Sequence, residues 1–303
     1  MSTVTMASGP DTVLVTGSST GLGLEIALHL AERGYRVFAS MRDLSKKAEL
    51  LQGAATRKVS VEVVQLDVTD PPSIDAAIET IGAGTGGIFG LVNNAGIGLR
   101  GCLEDLSTAE IRQVFETNVL GTMLVTQRVL PYMRRARRGR IITISSVGGR
   151  ISTFGLSSYC ASKFALEGFG EALALEVAPF GLQAIVVEPG IIKTTRWTSN
   201  RGLAAKALDA SSPYHELFRR SEALADRRVK QSRTRPADVA RTVQHALTTP
   251  NPRMHYVVGR PASVAVLLRR YLPDRLFERV YYGALMRKIM DDKQPAHVHS
   301  TSG

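Results

Sequence analysis

Tyr159 and Lys163 stand four residues apart in the segment S-S-Y-C-A-S-K-F-A-L-E-G, whose spacing of apolar residues predicts a helix. That separation brings both side chains to one helical face. An ammonium beside a phenol stabilises the phenolate and draws the tyrosine pKa down from about 10 toward the working range. Tyr159 is therefore predicted to act as a proton donor and acceptor. Ser146 closes the apolar run R-I-I-T-I-S, just ahead of Gly148 and Gly149. At the carboxyl end of a strand it faces the crevice in which doubly wound sheets bind ligands. Taken singly, each residue has a plainer role, as a helix-boundary tyrosine, a solvated lysine or a turn-forming serine. The joint spacing is what points to proton transfer. Cys160 points about 100° away from Tyr159 on the helix, so it and Cys102 are read as small packed residues.

A second chemical unit lies near the start of the chain, where T-V-L-V-T runs into G-S-S-T-G-L-G and then L-E-I-A-L-H-L-A-E-R. Gly17, Gly21 and Gly23, with Leu22 between the last two, occupy a strand-to-helix turn. Missing side chains let the backbone approach a pyrophosphate, and the helix N-terminus beyond supplies N–H donors and the positive end of a dipole. A tight connector is the plainer alternative. After the next strand, A-S-M-R-D places Met41 where an acid would hold the ribose hydroxyls of NAD, with Arg42 beside it. A cation there accommodates the 2′-phosphate of NADP(H), and Ser19 offers the same phosphate a hydroxyl. Asp43 takes the acid's part instead if that strand ends later than residue 39. Asp67 in Q-L-D-V-T-D ends the third strand and reaches the adenine edge, with Val68 packing beside it. Its alternative role is an Asx turn or cap before Pro71.

These residues need a scaffold, and the chain supplies an alternating one. Seven short runs rich in apolar and β-branched residues, at 12–16, 35–39, 61–66, 88–92, 140–145, 183–187 and 254–258, predict strands. Between them, 22–33, 108–133, 158–178 and 236–248 have helical spacing. That alternation predicts one α/β domain, a doubly wound seven-stranded parallel sheet with helices on both faces. A chain of 303 residues is long enough for one large core. Its 44% hydrophobic and 21% charged residues suit a soluble globular protein. Two cysteines make neither a disulfide framework nor a metal site, so no metal and a reducing cytoplasm are expected. The opening M-S-T-V-T-M-A-S-G-P does not read as a signal peptide. No apolar run reaches bilayer-spanning length.

In order and spacing, T-G-S-S-T-G-L-G, N-N-A-G (93–96), Asn118 in F-E-T-N-V-L-G, I-S-S with Ser146, Y-C-A-S-K and P-G-I-I-K-T (189–194) resemble the short-chain dehydrogenase/reductases. The resemblance covers about residues 11–260 and implies a Rossmann-type catalytic domain. A-S-M-R-D-L, Y-C-A-S-K-F-A-L-E-G and A-P-F-G (178–181) place it nearest the 17β-hydroxysteroid and retinol dehydrogenase branch. It implies that Tyr159 donates a proton when a carbonyl is reduced and accepts one when an alcohol is oxidised. Lys163 then lowers the tyrosine pKa and binds the nicotinamide ribose, Ser146 holds the substrate oxygen, and Asn118 positions a water relaying protons to Lys163. Asn93, Asn94, Ala95 and Gly96 line the adenosine side. Pro189, Gly190, Ile192 and Thr194 embrace the nicotinamide. The activity implied is NADP(H)-dependent carbonyl–alcohol interconversion on a bulky lipophilic substrate, steroid- or retinoid-like, in a homodimer or homotetramer. A 3-oxoacyl-thioester reductase and a non-catalytic NADP(H) sensor remain alternatives. Sensors of this fold tend to lose the tyrosine or the lysine, and both are present here.

Beyond the sixth strand the rhythm breaks. Residues 195–235, with Trp197, Tyr214, His215, Leu217 and Phe218, resemble the family's substrate lid; His215 corresponds there to a substrate-contacting histidine or is simply a surface residue. In 261–290, Leu276, Phe277, Val280, Tyr281, Ala284, Leu285 and Ile289 form an apolar stripe at helical spacing, interrupted upstream by Pro273. Packing over the substrate mouth is the simplest role. Docking on an anionic membrane is the sharper one, since 260–290 carries seven basic and two acidic side chains. Five arginines in 134–140 supply much of the remaining net charge of +11. Without interleaved aromatics they read as a solvated helix end, so no nucleic-acid partner is expected. Residues 1–10 and 291–303, polar and aperiodic, are expected to be flexible.

Overall fold

Strands form where the apolar runs fall: β1 (Thr12–Val15), β2 (Arg36–Met41), β3 (Glu62–Gln65), β4 (Gly90–Asn93), β6 (Gly139–Ile144), β7 (Leu182–Pro189) and β9 (His255–Val258), with two three-residue strands, β5 (Gly98–Arg100) and β8 (Arg201–Leu203), between them. The helices are α1 (Gly21–Glu32), α2 (Ala48–Arg57), α3 (Pro71–Thr85), α4 (Thr108–Phe115), α5 (Gly121–Ala136), α6 (Ser157–Val177), α7 (His215–Gln231), α8 (Pro236–Thr248), α9 (Arg260–Tyr271), α10 (Asp274–Phe277) and α11 (Gly283–Met290). The computed structural model describes residues 10–193 and 201–291. Thr194 and Trp197, and nearly all of both termini, lie outside the described residues.

Seven strands pair in parallel in the order β3-β2-β1-β4-β6-β7-β9. Period-2 alternation in β1 explains why helices cover both faces. Val13 and Val15 enter a core with Ile26 and Leu28 of α1 and Val239 and Val243 of α8. Leu14, pointing the other way, enters a core with Ile78 of α3, Val129 of α5 and Leu173 of α6. Each such buried side chain contributes roughly 1.5–3 kcal/mol. The order reverses between β1 and β4, and the crevice at their carboxyl ends is where such sheets take ligands.

Two features depart from the sequence reading. The helix expected over 108–133 is broken by a π-helical turn at Glu116–Leu120, because the fully buried Asn118 is held from outside the helix. Its Nδ2 donates to Ile97 O at 3.0 Å and to Ser162 Oγ at 3.0 Å, and its Oδ1 accepts from Ile97 N at 2.8 Å. The other is the parallel β5–β8 ribbon, which pairs Gly98 with Arg201 and Arg100 with Leu203. Glu110 completes a capping box with Ser107 and also accepts from Ala205 N at 2.9 Å, tying α4 to the chain after β8.

Beyond β9, Pro273 separates α9 from α10, and Asp274 opens the second helix. Of the apolar stripe, Phe277, Leu285 and Ile289 are buried while Leu276 and Val280 stay exposed, so its inward half packs against the protein. Arg220 of α7 donates to Met290 O at 2.5 Å, fastening the two segments together. No helix among the described residues is long and apolar enough to cross a membrane.

Candidate active site

The turn after β1 is shaped by glycine. Gly17 has a φ of +68°, in the left-handed region that side chains disfavour. A Cβ on Gly23 would lie 2.2 Å from Gly17 O and 2.4 Å from Asn94 Nδ2. Asn94 in turn donates to Thr16 O at 2.9 Å and Gly17 O at 3.1 Å. The turns after β1 and β4 are thus one clamped unit, with backbone exposed where a pyrophosphate would lie.

That unit is one end of a continuous cavity of about 670 Å³. Gly17, Ser19, Gly21, Leu22, Arg42, Asp67, Val68, Asn94, Ala95, Gly96, Ser146, Tyr159, Lys163, Pro189, Gly190 and Ile192 all line it. Three named residues do not. Gly23 packs beneath the turn, Asn118 braces Ile97, and Asn93 donates to Thr126 Oγ1 at 2.8 Å, away from the cavity. His215 opens α7 but is not among the lining residues either; the face of α7 that looks inward is Ser221, Leu224, Ala225 and Arg228. Those four sit at i, i+3, i+4 and i+7, a helical signal legible in the sequence but passed over. Tyr281 and Leu285 of the C-terminal segment, from the expected stripe, complete that wall.

Strand β2 ends at Met41, two residues later than expected, which leaves Arg42 as the first residue beyond the sheet. Asp43 lines the cavity beside it. Its Oδ1 accepts from Ser45 N at 2.9 Å and Ser45 Oγ at 2.7 Å, bonds that hold its carboxyl below the usual value. Asp67 likewise forms an Asx turn, accepting from Thr69 N at 2.9 Å, while still facing the cavity.

At the centre, Ser146 Oγ accepts from Gly148 N at 3.0 Å and donates to Pro189 O at 3.5 Å, and it favours the ionised form of Tyr159. Lys163 Nζ is 5.8 Å from the Tyr159 ring centroid and donates to Ile144 O at 2.9 Å. A family model described as short chain dehydrogenase matches residues 11–203, the stretch carrying all of these groups. The chain is a short-chain dehydrogenase.

Similarity extends beyond that stretch. Retinol dehydrogenase 8 of Bos taurus is 37% identical over 293 residues, 93% of this chain and 92% of its own. 17-beta-hydroxysteroid dehydrogenase type 1 of Homo sapiens is 35% identical over 288 residues, 92% of this chain and 86% of its own. Among solved structures, the actinorhodin polyketide ketoreductase with NADPH superposes with a TM-score of 0.70 at 30% identity, covering 82% of this chain and 96% of its own.

In this short-chain dehydrogenase the expected lowering of the Tyr159 pKa is outweighed. Burial pushes the phenol above its ordinary value, against the opposing bond from Ser146. Burial also lowers Lys163 to about 8, with Glu167 pulling the other way. Behind this pair lies a charge cluster that nothing in the linear sequence announces. His255 Nδ1 is 2.9 Å from Glu188 Oε1 and 3.3 Å from Glu167 Oε2, and its Nε2 is 3.3 Å from Glu171 Oε1. Arg150 Nε stands 3.3 Å from Glu188 and 3.6 Å from Glu167.

Hydrogen bonds to Glu167 and Glu188 raise His255 from 6.5 to about 9. Because the folded value lies above the unfolded one, the imidazolium's stabilisation is complete below 6.5 and is lost as pH rises through about 9. His255→Gln is expected to lower stability by about 2 kcal/mol at mildly acidic pH, and the deficit should narrow on the alkaline side. Thermal melts of both proteins across that range check this. A deficit that does not change with pH would contradict it.

Proposed function

We propose that the chain is an NADP(H)-dependent oxidoreductase that interconverts a carbonyl and an alcohol on a bulky lipophilic substrate, steroid- or retinoid-like. The observation that carries this reading is the continuity of the cavity, from the glycine turn through Tyr159 to the wall of Leu224, Ala225, Tyr281 and Leu285. The names of the retinol and hydroxysteroid dehydrogenase relatives agree with it. The turn of Gly17, Ser19, Gly21 and Leu22 that lines the cavity, ahead of the N-terminus of α1, fits a bound dinucleotide.

In this reading the bound nicotinamide supplies or takes the hydride. Tyr159 gives its hydroxyl proton to the carbonyl oxygen during reduction, while Ser146 holds that oxygen within reach. Lys163, facing the nicotinamide ribose with Tyr159, stabilises the phenolate left behind. Asn118, locked to Ile97, orients the water that passes protons to Lys163. Arg42, its side chain 72% exposed beside the cavity, meets the 2′-phosphate. The exposed Leu120, Met123, Phe164 and Leu175, on the π turn, α5 and α6, are the surface we assign to a homodimer.

The test follows NADPH and NADH oxidation in parallel with a steroid ketone, retinal and a 3-oxoacyl thioester. Turnover of the first two with NADPH supports the proposal. Turnover of the thioester alone would replace it with the acyl-reductase alternative, which the polyketide ketoreductase neighbour favours. Arg42→Asp is expected to raise the Kd for NADPH at least about tenfold, the scale of a lost charge-assisted bond, with a much smaller change for NADH. Titration of intrinsic fluorescence with each cofactor checks this. Equal weakening of both would move the phosphate elsewhere.

A further inference from the structure

The cluster behind the active site joins four chain segments that the proposed mechanism needs in register. Glu167 lies on α6 one helical turn beyond Lys163, and Glu188 immediately precedes the Pro189–Gly190 turn. Arg150 follows the Ser146 turn, and His255 comes from β9. The packing is close: a Cβ on Gly149 would lie 2.9 Å from Glu167 Oε1, from Lys163 O and from Ser145 Oγ alike. Glu167 and Glu188 are 5% and 0% exposed. Two carboxylates that deep require compensating cations, and Arg150 and His255 are placed to supply them. Arg150 Nε lies 3.3–3.6 Å from both.

Resting on the reading of Tyr159 and Lys163 given above, we propose that Glu167 is a positioning residue for that pair. Its carboxylate keeps Lys163 charged and seats the Ser146 turn, and His255 and Arg150 keep Glu167 itself ionised. The charged and titratable groups facing the Lys163–Glu167 face of α6 are Tyr159 and Glu171 on α6, Arg150 on the Ser146 turn, Glu188 on β7 and His255 on β9; Arg100 acts on Tyr159 from β5. Among them, Glu167 is the group whose charge favours the ammonium of Lys163 against its burial. Burial, reinforced by the neighbouring Glu188 carboxylate, holds the Glu167 carboxyl above its ordinary value, and His255 is the largest of the contacts that oppose this, ahead of Ser145 and Arg150. Contacts with Glu167 and Glu188 raise His255 to about 9 while burial lowers Lys163 to about 8, so the imidazolium is still mostly present at the midpoint of the Lys163 titration.

The experiment titrates Lys163 directly, by NMR of protein labelled with 13C at the lysine ε-carbons, with the signal assigned by its loss in Lys163→Met. In Glu167→Gln the midpoint is expected to fall by about one unit, the low end of the effect of an opposite charge at this range. In His255→Gln it should fall in the same direction by less, because the unsupported Glu167 takes up a proton. Where a steroid ketone or retinal is turned over with NADPH, the alkaline limb of the pH–rate profile should move down with the midpoint. An unchanged Lys163 midpoint in a folded Glu167→Gln protein overturns the proposal, even if stability drops, since a purely structural role would not touch that titration. A shifted midpoint with Tyr159→Phe still fully active would uphold the tuning of Lys163 and sink the catalytic reading instead.

Discussion

Replacement of Tyr159 by phenylalanine is expected to lower turnover at least about a hundredfold, the usual scale of a lost general acid or base, while NADPH affinity stays near that of the unaltered protein. The ring remains, so the packing over the helix and the wall of the cavity are kept; only the hydroxyl is removed. The glycine turn and Arg42, to which we assign the cofactor, lie at the other end of the cavity and do not depend on it. Steady-state rates and a cofactor titration on the same preparation separate the two effects. Near-normal turnover would remove Tyr159 from the chemistry and favour a cofactor-binding sensor. Loss of NADPH binding together with turnover would show a structural defect instead.

The second large effect concerns stability. Arg100 on β5 and Glu222 on α7 form a buried ion pair through Nε and Oε1, with side chains 6% and 9% exposed. Arg100→Met removes the guanidinium paired with this buried carboxylate. Breaking such a pair from one side costs about 3–5 kcal/mol, on the order of a 10 °C fall in Tm for a domain of this size. Changing both residues, Arg100→Met with Glu222→Leu, should recover most of the loss, because an apolar pair of similar volume needs no compensation. Calorimetric melts of the single and double variants decide it. A single variant within two degrees of the parent would mean that Glu222 finds water or another cation without cost.

The parts of this architecture that were legible in the sequence are those written in local pattern. All seven strands of the main sheet fall within one or two residues of their expected positions, because central parallel strands are apolar on both faces. The glycine turn, Ser146, Tyr159 and Lys163 converge on one cavity, as their spacing anticipated. Three kinds of feature were not legible. The ribbon strands Gly98–Arg100 and Arg201–Leu203 are too short to carry a period. The π turn around Asn118 arises from a bond to Ile97, 21 residues away. The cluster of Arg150, Glu167, Glu188 and His255 is assembled by sheet order, with Glu188 and His255 67 residues apart. The upward shift of the Tyr159 pKa was not legible for a related reason: burial, a property of the whole fold, is its largest cause and outweighs Ser146 and Arg100, which act the other way.

The two walls of the cavity come from separate lengths of chain. Every lining residue on the glycine turn, the turn after β4, the Ser146 turn and α6 precedes residue 203, where the family match stops, whereas Ser221, Leu224, Ala225, Arg228, Tyr281 and Leu285 come after it. Mutations therefore accumulate under different constraints on the two sides. A change in the earlier length disturbs groups next to the glycine turn and Tyr159, while a change at Leu224, Ala225, Tyr281 or Leu285 alters the shape and polarity of the far wall. Lineages descended from such a scaffold are free to diversify what they accept while inheriting the proton-transfer apparatus intact, and the later hundred or so residues are where that divergence should be looked for.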